Sequence, residues 1–154
     1  MKSTLIYVHD PMCSWCWGFE KTREKLFAAV SDQLNIKRLL GGLAPDSDVP
    51  MPEPTKQMVQ SAWYRVAEVT GAEFNHDFWV KCAPRRSTYP ANRAVIAARE
   101  QGLQFEQLMT ARVQQAYYLE AKNPSDNQTL IDLAEEIGLK SKRFSEDLVS
   151  DATH

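Results

Sequence analysis

Long apolar runs are missing from this chain of 154 residues, and so are clusters of lysine and arginine. The first absence leaves no stretch of the roughly 20 apolar residues that a membrane-spanning helix needs. The second, with a net charge of −2, removes the basic footprint by which proteins grip nucleic acid. Neither a membrane nor a nucleic-acid partner is therefore expected. Cysteine and histidine are scarce, at three each. Three cysteines are too few for a disulfide-stapled scaffold. A closed zinc site needs four ligands, and Cys82, His9, His76 and His154 offer no second close pair, so no metal is expected. Residues 1–8 contain neither a signal-type apolar core nor a small-residue cleavage site. On that ground the expected location is cytoplasmic, where cysteine pairs are usually transient and catalytic. The rest is ordinary globular composition, 44% hydrophobic and 25% charged, without internal repeats. Its length suits one domain, or a small core carrying an inserted lobe.

What is present is a pair of thiols in a telling place. Cys13-Ser14-Trp15-Cys16 follows an apolar, β-branched run and opens an amphipathic segment. Thiols three residues apart in a first helical turn share a face and can close a disulfide. The first lies where free backbone N–H groups and the helix dipole favour negative charge. The thiolate is the nucleophile in exchange. A cysteine at its ordinary pKa of about 8.5 is only a few per cent ionised at neutral pH. Making it mostly thiolate takes about 3–4 kcal/mol. The dipole supplies about 0.3–1 kcal/mol at an exposed site, so N–H···S hydrogen bonds must provide much of the rest. A moderately lowered Cys13 pKa is expected. No cation lies between the thiols. Cys13 is the expected attacker and Cys16, one turn in, the resolving thiol.

The residues around the pair allow bland and functional readings alike. Trp15 and Trp17 read as apolar walls, with Trp17 more a packing residue than a recognition one. Glu20, a turn beyond Cys16, reads as a solvated helix-face carboxylate or a buried proton relay. Asp10 is placed to cap the helix. Ser14 sits inside the motif, His9 ends the strand as a structural group, and Cys82 reads as a small buried side chain.

Periodicity organises the remainder. Residues 4–9 read as a buried strand, 13–30 as a helix with Cys16, Phe19, Leu26, Phe27 and Val30 near one face, and 35–40 as a second strand. That unit predicts a parallel pair with a right-handed crossover. Residues 44–54 hold four of the eight prolines and read as a linker. Thereafter the period is helical: a stripe of Met58, Val59, Ala62, Trp63, Val66 and Ala67, then helices over 90–101, from about 105 to 117, over 127–137 and over 141–150. Two domains are expected, 1–48 and 49–154.

At residues 9–20 the chain resembles the DsbA/FrnE-like branch of the thioredoxin superfamily, and most closely the bacterial proteins described as predicted protein-disulfide isomerases. His9-Asp10-Pro11-Met12-Cys13-Ser14-Trp15-Cys16-Trp17-Gly18-Phe19 is similar to that branch's active-site segment, and the run through Glu20 is shared with DsbA. Arg85-Arg86-Ser87-Thr88-Tyr89-Pro90-Ala91 resembles the start of its inserted helix. The resemblance implies an α/β fold: a thioredoxin-like β-α-β unit with an all-helical insert. It also implies thiol–disulfide exchange through a mixed disulfide on Cys13, without a cofactor. Family members go on to a cis-proline, further strands and a final helix, which this sequence does not reach. The C-terminal half of the thioredoxin sheet is therefore expected to be missing, leaving a strand edge open to self-association. Expected partners are protein or small-molecule thiols and disulfides, glutathione among them. Two other readings stand beside this one. A glutathione-dependent isomerase or transferase on the same fold is disfavoured by the second cysteine. A non-catalytic interaction module would leave the thiols without work.

Overall fold

The computed structural model describes residues 2–153. The chain begins with a strand, β1 (Thr4–His9), a helix, α1 (Ser14–Val30), and a strand, β2 (Asn35–Leu40). The strands run parallel, paired from Thr4 with Asn35 to His9 with Leu40. They form a two-stranded sheet, and β1 has no partner on its other edge among the described residues. Six helices follow: α2 (Glu53–Thr70), α3 (Phe78–Lys81), α4 (Tyr89–Arg99), α5 (Gln104–Leu119), α6 (Asn127–Glu136) and α7 (Ser141–Leu148). The helical stops match the local chemistry. Pro54 lies in the first turn of α2, and Gly71 ends that helix in the left-handed region at φ 72°. Thr88 precedes α4, whose first turn contains Pro90.

Two expectations need correction. The first strand is not buried but half-covered. Tyr7 and His9 face α1, whereas Ile6 and Val8 are 53% and 59% exposed. Residues alternate across a strand, and among the described residues no helix covers the second face. The α1 face is thin for the same reason: only Phe27 is fully buried, while Leu26 and Phe19 stay exposed. Phe27 meets the edge of the Tyr7 ring and lies under the guanidinium groups of Arg23 and Arg38. In α2, Met58 falls outside the buried stripe, which centres on Trp63 and Val66. The short helix α3 lacks enough turns to show a period and was not anticipated.

The helical lobe holds two cores. One gathers small and branched residues of α4, α5, α6 and α7, including Ala94, Val95, Val113, Leu130, Leu133 and Phe144, all without exposed surface. The other is aromatic, built on Trp63, Phe78, Tyr117 and Tyr118. Met12, immediately before the first thiol, packs against both.

Candidate active site

β1 delivers the chain to a tight loop, and α1 carries it away from that loop. Four contacts fix the loop between them. The buried Asp10 carboxylate, 2% exposed, accepts from the Met12 N–H at 2.8 Å on one oxygen. Its other oxygen accepts from the Leu43 N–H at 2.9 Å, the Thr88 hydroxyl at 2.8 Å and the Asn92 amide at 2.8 Å. Asp10 thus ties the thiol loop to the segment after β2 and to the start of α4. It does not cap α1. That position belongs to Cys13, in extended conformation, whose sulfur accepts the Cys16 N–H at 3.4 Å. One turn further, Gly18 lets α2 approach closely: a Cβ there would meet Val66 Cγ1 at 2.5 Å.

The two thiols have opposite electrostatics. The Cys13 pKa is pulled down to about 6, first by a hydrogen bond from the Cys16 thiol and then by the backbone N–H groups of Cys16 and Trp15. Burial and the negative charge of Asp10 oppose that shift. Cys16 is pushed far up, chiefly because its proton is held by Cys13 and because it is buried. The backbone N–H of Asp10 and the Tyr7 hydroxyl act the other way, stabilising its thiolate. Burial raises Tyr7 itself, so its hydroxyl stays protonated. One sulfur is therefore ionised near neutral pH while its neighbour retains a proton, which is the charge state that nucleophilic attack requires.

The other residues singled out from the sequence fall into distinct roles. Trp15 is 48% exposed beside Cys13. Ser14 is half-buried in the first turn of α1. Trp17 packs: its ring stacks on Tyr118 at 5.6 Å and its indole N–H donates to the Glu73 carbonyl at 3.0 Å. Glu20 is half-buried and paired, with Arg23 holding both its oxygens. Cys82, half-buried, donates its S–H to the Ala121 carbonyl and belongs to the aromatic core's margin. Among the described residues, no group of three or more His, Cys, Asp or Glu side chains could hold a metal ion. Among the described residues, no helix is long and apolar enough to cross a membrane.

Sequence reasoning missed Tyr7, Thr88 and Asn92. Tyr7 has a signal in retrospect, since it shares a strand face with His9 and that face points at α1. Thr88 and Asn92 lie one turn apart and more than 75 residues from Asp10. Nothing local announces that contact.

Known proteins match this arrangement. A family model described as Thioredoxin matches residues 6–154. A candidate protein disulfide isomerase structure from Nitrosomonas europaea superposes with a TM-score of 0.86 at 27% identity, over 99% of this chain and 73% of that one. The cytosolic disulfide reductase DsbM of Pseudomonas aeruginosa superposes with a TM-score of 0.73 at 28% identity, over 94% of this chain and 68% of that one. DsbM is also known with GSH bound. The ClpXP adapter protein SpxH of Halalkalibacterium halodurans is 26% identical over 145 residues, 92% of this chain but 47% of its own length. The chain thus spans about half the length of the curated relatives it matches. With its β-α-β unit, helical lobe and paired thiols at the head of α1, the chain belongs to the thioredoxin family and groups with that family's DsbA-like disulfide oxidoreductases and isomerases.

Proposed function

We propose that this protein is a thiol–disulfide oxidoreductase or isomerase acting through Cys13 and Cys16. The observation that carries the reading is the thiol pair at the head of α1, where the Cys13 sulfur caps the helix and accepts the Cys16 N–H at 3.4 Å, with hydrogen bonding between the thiols pulling the Cys13 pKa down, and that bond and burial pushing the Cys16 pKa up. The Cys13 thiolate attacks a substrate disulfide, forming a mixed disulfide and releasing one substrate sulfur as thiolate. Cys16 then attacks Cys13, the Cys13–substrate bond breaks, and the second substrate sulfur leaves. The dithiol loses two electrons and the substrate gains them. Asp10 positions the loop, and Trp15 offers an apolar surface beside the attacking sulfur. Ser14 leaves room for the substrate chain, and Trp17 braces the helix.

Glutathione or protein thiols fit as partners, a choice supported by the DsbM structure with GSH. The same relative supports a cytosolic setting. The thioredoxin-like unit ends near residue 48, and the helical lobe takes the rest. The open edge of β1 suits pairing with another strand, including one from a second copy. The test is insulin reduction with glutathione as electron donor. Turnover is expected from the unaltered chain and none from Cys13→Ala. Equal background in both would end the proposal. Binding without turnover would favour an adapter role, the reading supported by the SpxH relatives.

A further inference from the structure

Between the sheet unit and α5 lies a small polar cavity of about 30 Å³. Tyr7 and His9 of β1, Glu20 and Arg23 of α1, Arg38 of β2 and Gln114 of α5 line it. An ordered water needs roughly 10–15 Å³, so there is room for one or two particles of that size. The walls set two guanidinium groups against one carboxylate. Arg23 is committed to Glu20 and holds both its oxygens. Arg38 is half-buried and has no ion pair among the described residues. Its guanidinium lies 5.1 Å from the centre of the Phe27 ring, with that of Arg23 5.2 Å from the same ring. Burial, and then the Arg23 charge, weigh against the Arg38 cation. Glu106 attracts Arg38 from a distance but does not line the cavity. His9 supplies a second, independent sign. The residue is 6% exposed, and its ring Nε2 is buried without a hydrogen-bond partner in the protein. Buried polar atoms in that state are rare and call for a partner. Burial favours the neutral ring, which is a donor wherever it carries its proton on Nε2. Gln114, 2% exposed, adds a side-chain amide to the walls.

We propose that this cavity is a binding site for a small monovalent anion of chloride size, held by the Arg38 guanidinium, the His9 ring N–H and the Gln114 amide. The site goes beyond the thiol chemistry and does not rest on it. Charge selects the ligand: two guanidinium groups and one carboxylate leave the walls at a net +1, which one negative charge neutralises. Volume selects its size, because the five heavy atoms of a phosphate or sulfate do not fit. Water fits by volume, but it leaves the Arg38 charge uncompensated where solvent is partly excluded, and such a charge is costly. The position gives the ion its role. It bridges β1 and β2 to α5 and so ties the thin sheet unit to the helical lobe. An ion that binds the closed seam and not the unfolded chain stabilises the fold by mass action.

Thermal unfolding of the reduced chain at pH 7 reads the binding. Sodium is held at about 0.2 M, so that screening stays constant, while chloride replaces gluconate, an organic anion too large for the cavity. The melting temperature is expected to rise by about 2–4 °C and to level off as the site fills. Arg38→Gln removes the unpaired charge. Ala111 also lines the cavity, and Ala111→Val narrows it while leaving every charge in place. Both variants should lose the response to chloride. No rise in the unaltered chain means that the cavity holds water alone, and overturns the proposal. A rise retained in either variant also overturns it, since the effect would then come from bulk salt or from charge outside the cavity. Where a variant does not fold, chloride NMR of the unaltered chain decides instead. Line broadening that bromide displaces and sulfate does not supports the site. Broadening that both displace alike, or none at all, overturns it.

Discussion

The sheet unit and the helical lobe are built to different densities. In the lobe, α4 alone buries seven of its eleven residues, and α5 buries six of sixteen. In the β-α-β unit, α1 buries one residue of seventeen, and one sheet face shows Ile6, Val8 and Leu39 to solvent. Yet the thin unit carries the reactive thiols. The difference teaches that reactivity here does not depend on the core of the unit that bears it. The thiol loop draws its rigidity from the neighbouring lobe, through Asp10, Met12 and Gly18.

That contrast can be broken most sharply from the lobe side. Trp63→Ala should cost about 3–5 kcal/mol, because Trp63 is 1% exposed at the centre of the aromatic core. Urea unfolding measures it, and Cys13 alkylation should lose its low-pH component in the same range of urea. Next comes the helix contact. Gly18→Val would drive its side chain into Val66 and Thr70, and overpacking of this kind costs about 1–3 kcal/mol. The melting temperature should fall.

Asp10→Asn removes the charge from a carboxylate with four neutral donors. The expected cost is about 1–3 kcal/mol, since an amide cannot satisfy all of them. The Cys13 pKa should meanwhile move further down, because the Asp10 charge raises it in the native protein. The pH dependence of iodoacetamide labelling reads that shift. A rise would mean that loosening the loop outweighs the lost charge.

The pH dependence of stability follows from the same sulfur. Cys13 titrates at about 6 in the folded reduced protein and at about 8.5 in an unfolded chain. Between those values the unfolded state binds more protons, so folding of the reduced form strengthens as pH rises. The contribution is complete above about 8.5 and is lost as pH falls through 6. The oxidised form lacks it. Paired denaturation curves from pH 5 to pH 8 should therefore show reduced-form stability climbing relative to oxidised. The smallest effect belongs to the open sheet face, where Val8→Thr should change stability by less than about 0.5 kcal/mol.

Much of this architecture was legible in the amino-acid order. Strand β1, helix α1, strand β2 and the start of α4 at Pro90 follow from periodicity, β-branching and turn chemistry, which are local signals. The cysteine pair announced its own chemistry through its place at a strand-to-helix junction. Three features lay beyond reach: one depends on contacts between distant segments, one on which side chain closes a local ion pair, and one on what covers a sheet face. Asp10 looks like a helix cap until Thr88 and Asn92 fold onto it. Glu20 looks solvated until Arg23 closes over it. The exposure of Ile6 and Val8 cannot be read from a run that is apolar on both faces, because the run does not say what will cover it.

Met12 ends in both cores of the lobe, one residue before the attacking sulfur. Its amide proton is also held by Asp10. The segment cannot swing open as an independent flap, because the thioether would have to leave two packed interiors at once. Deuterium should therefore enter at the Met12 amide on the slow clock of the lobe's own unfolding, and far later than at the fraying end of α1.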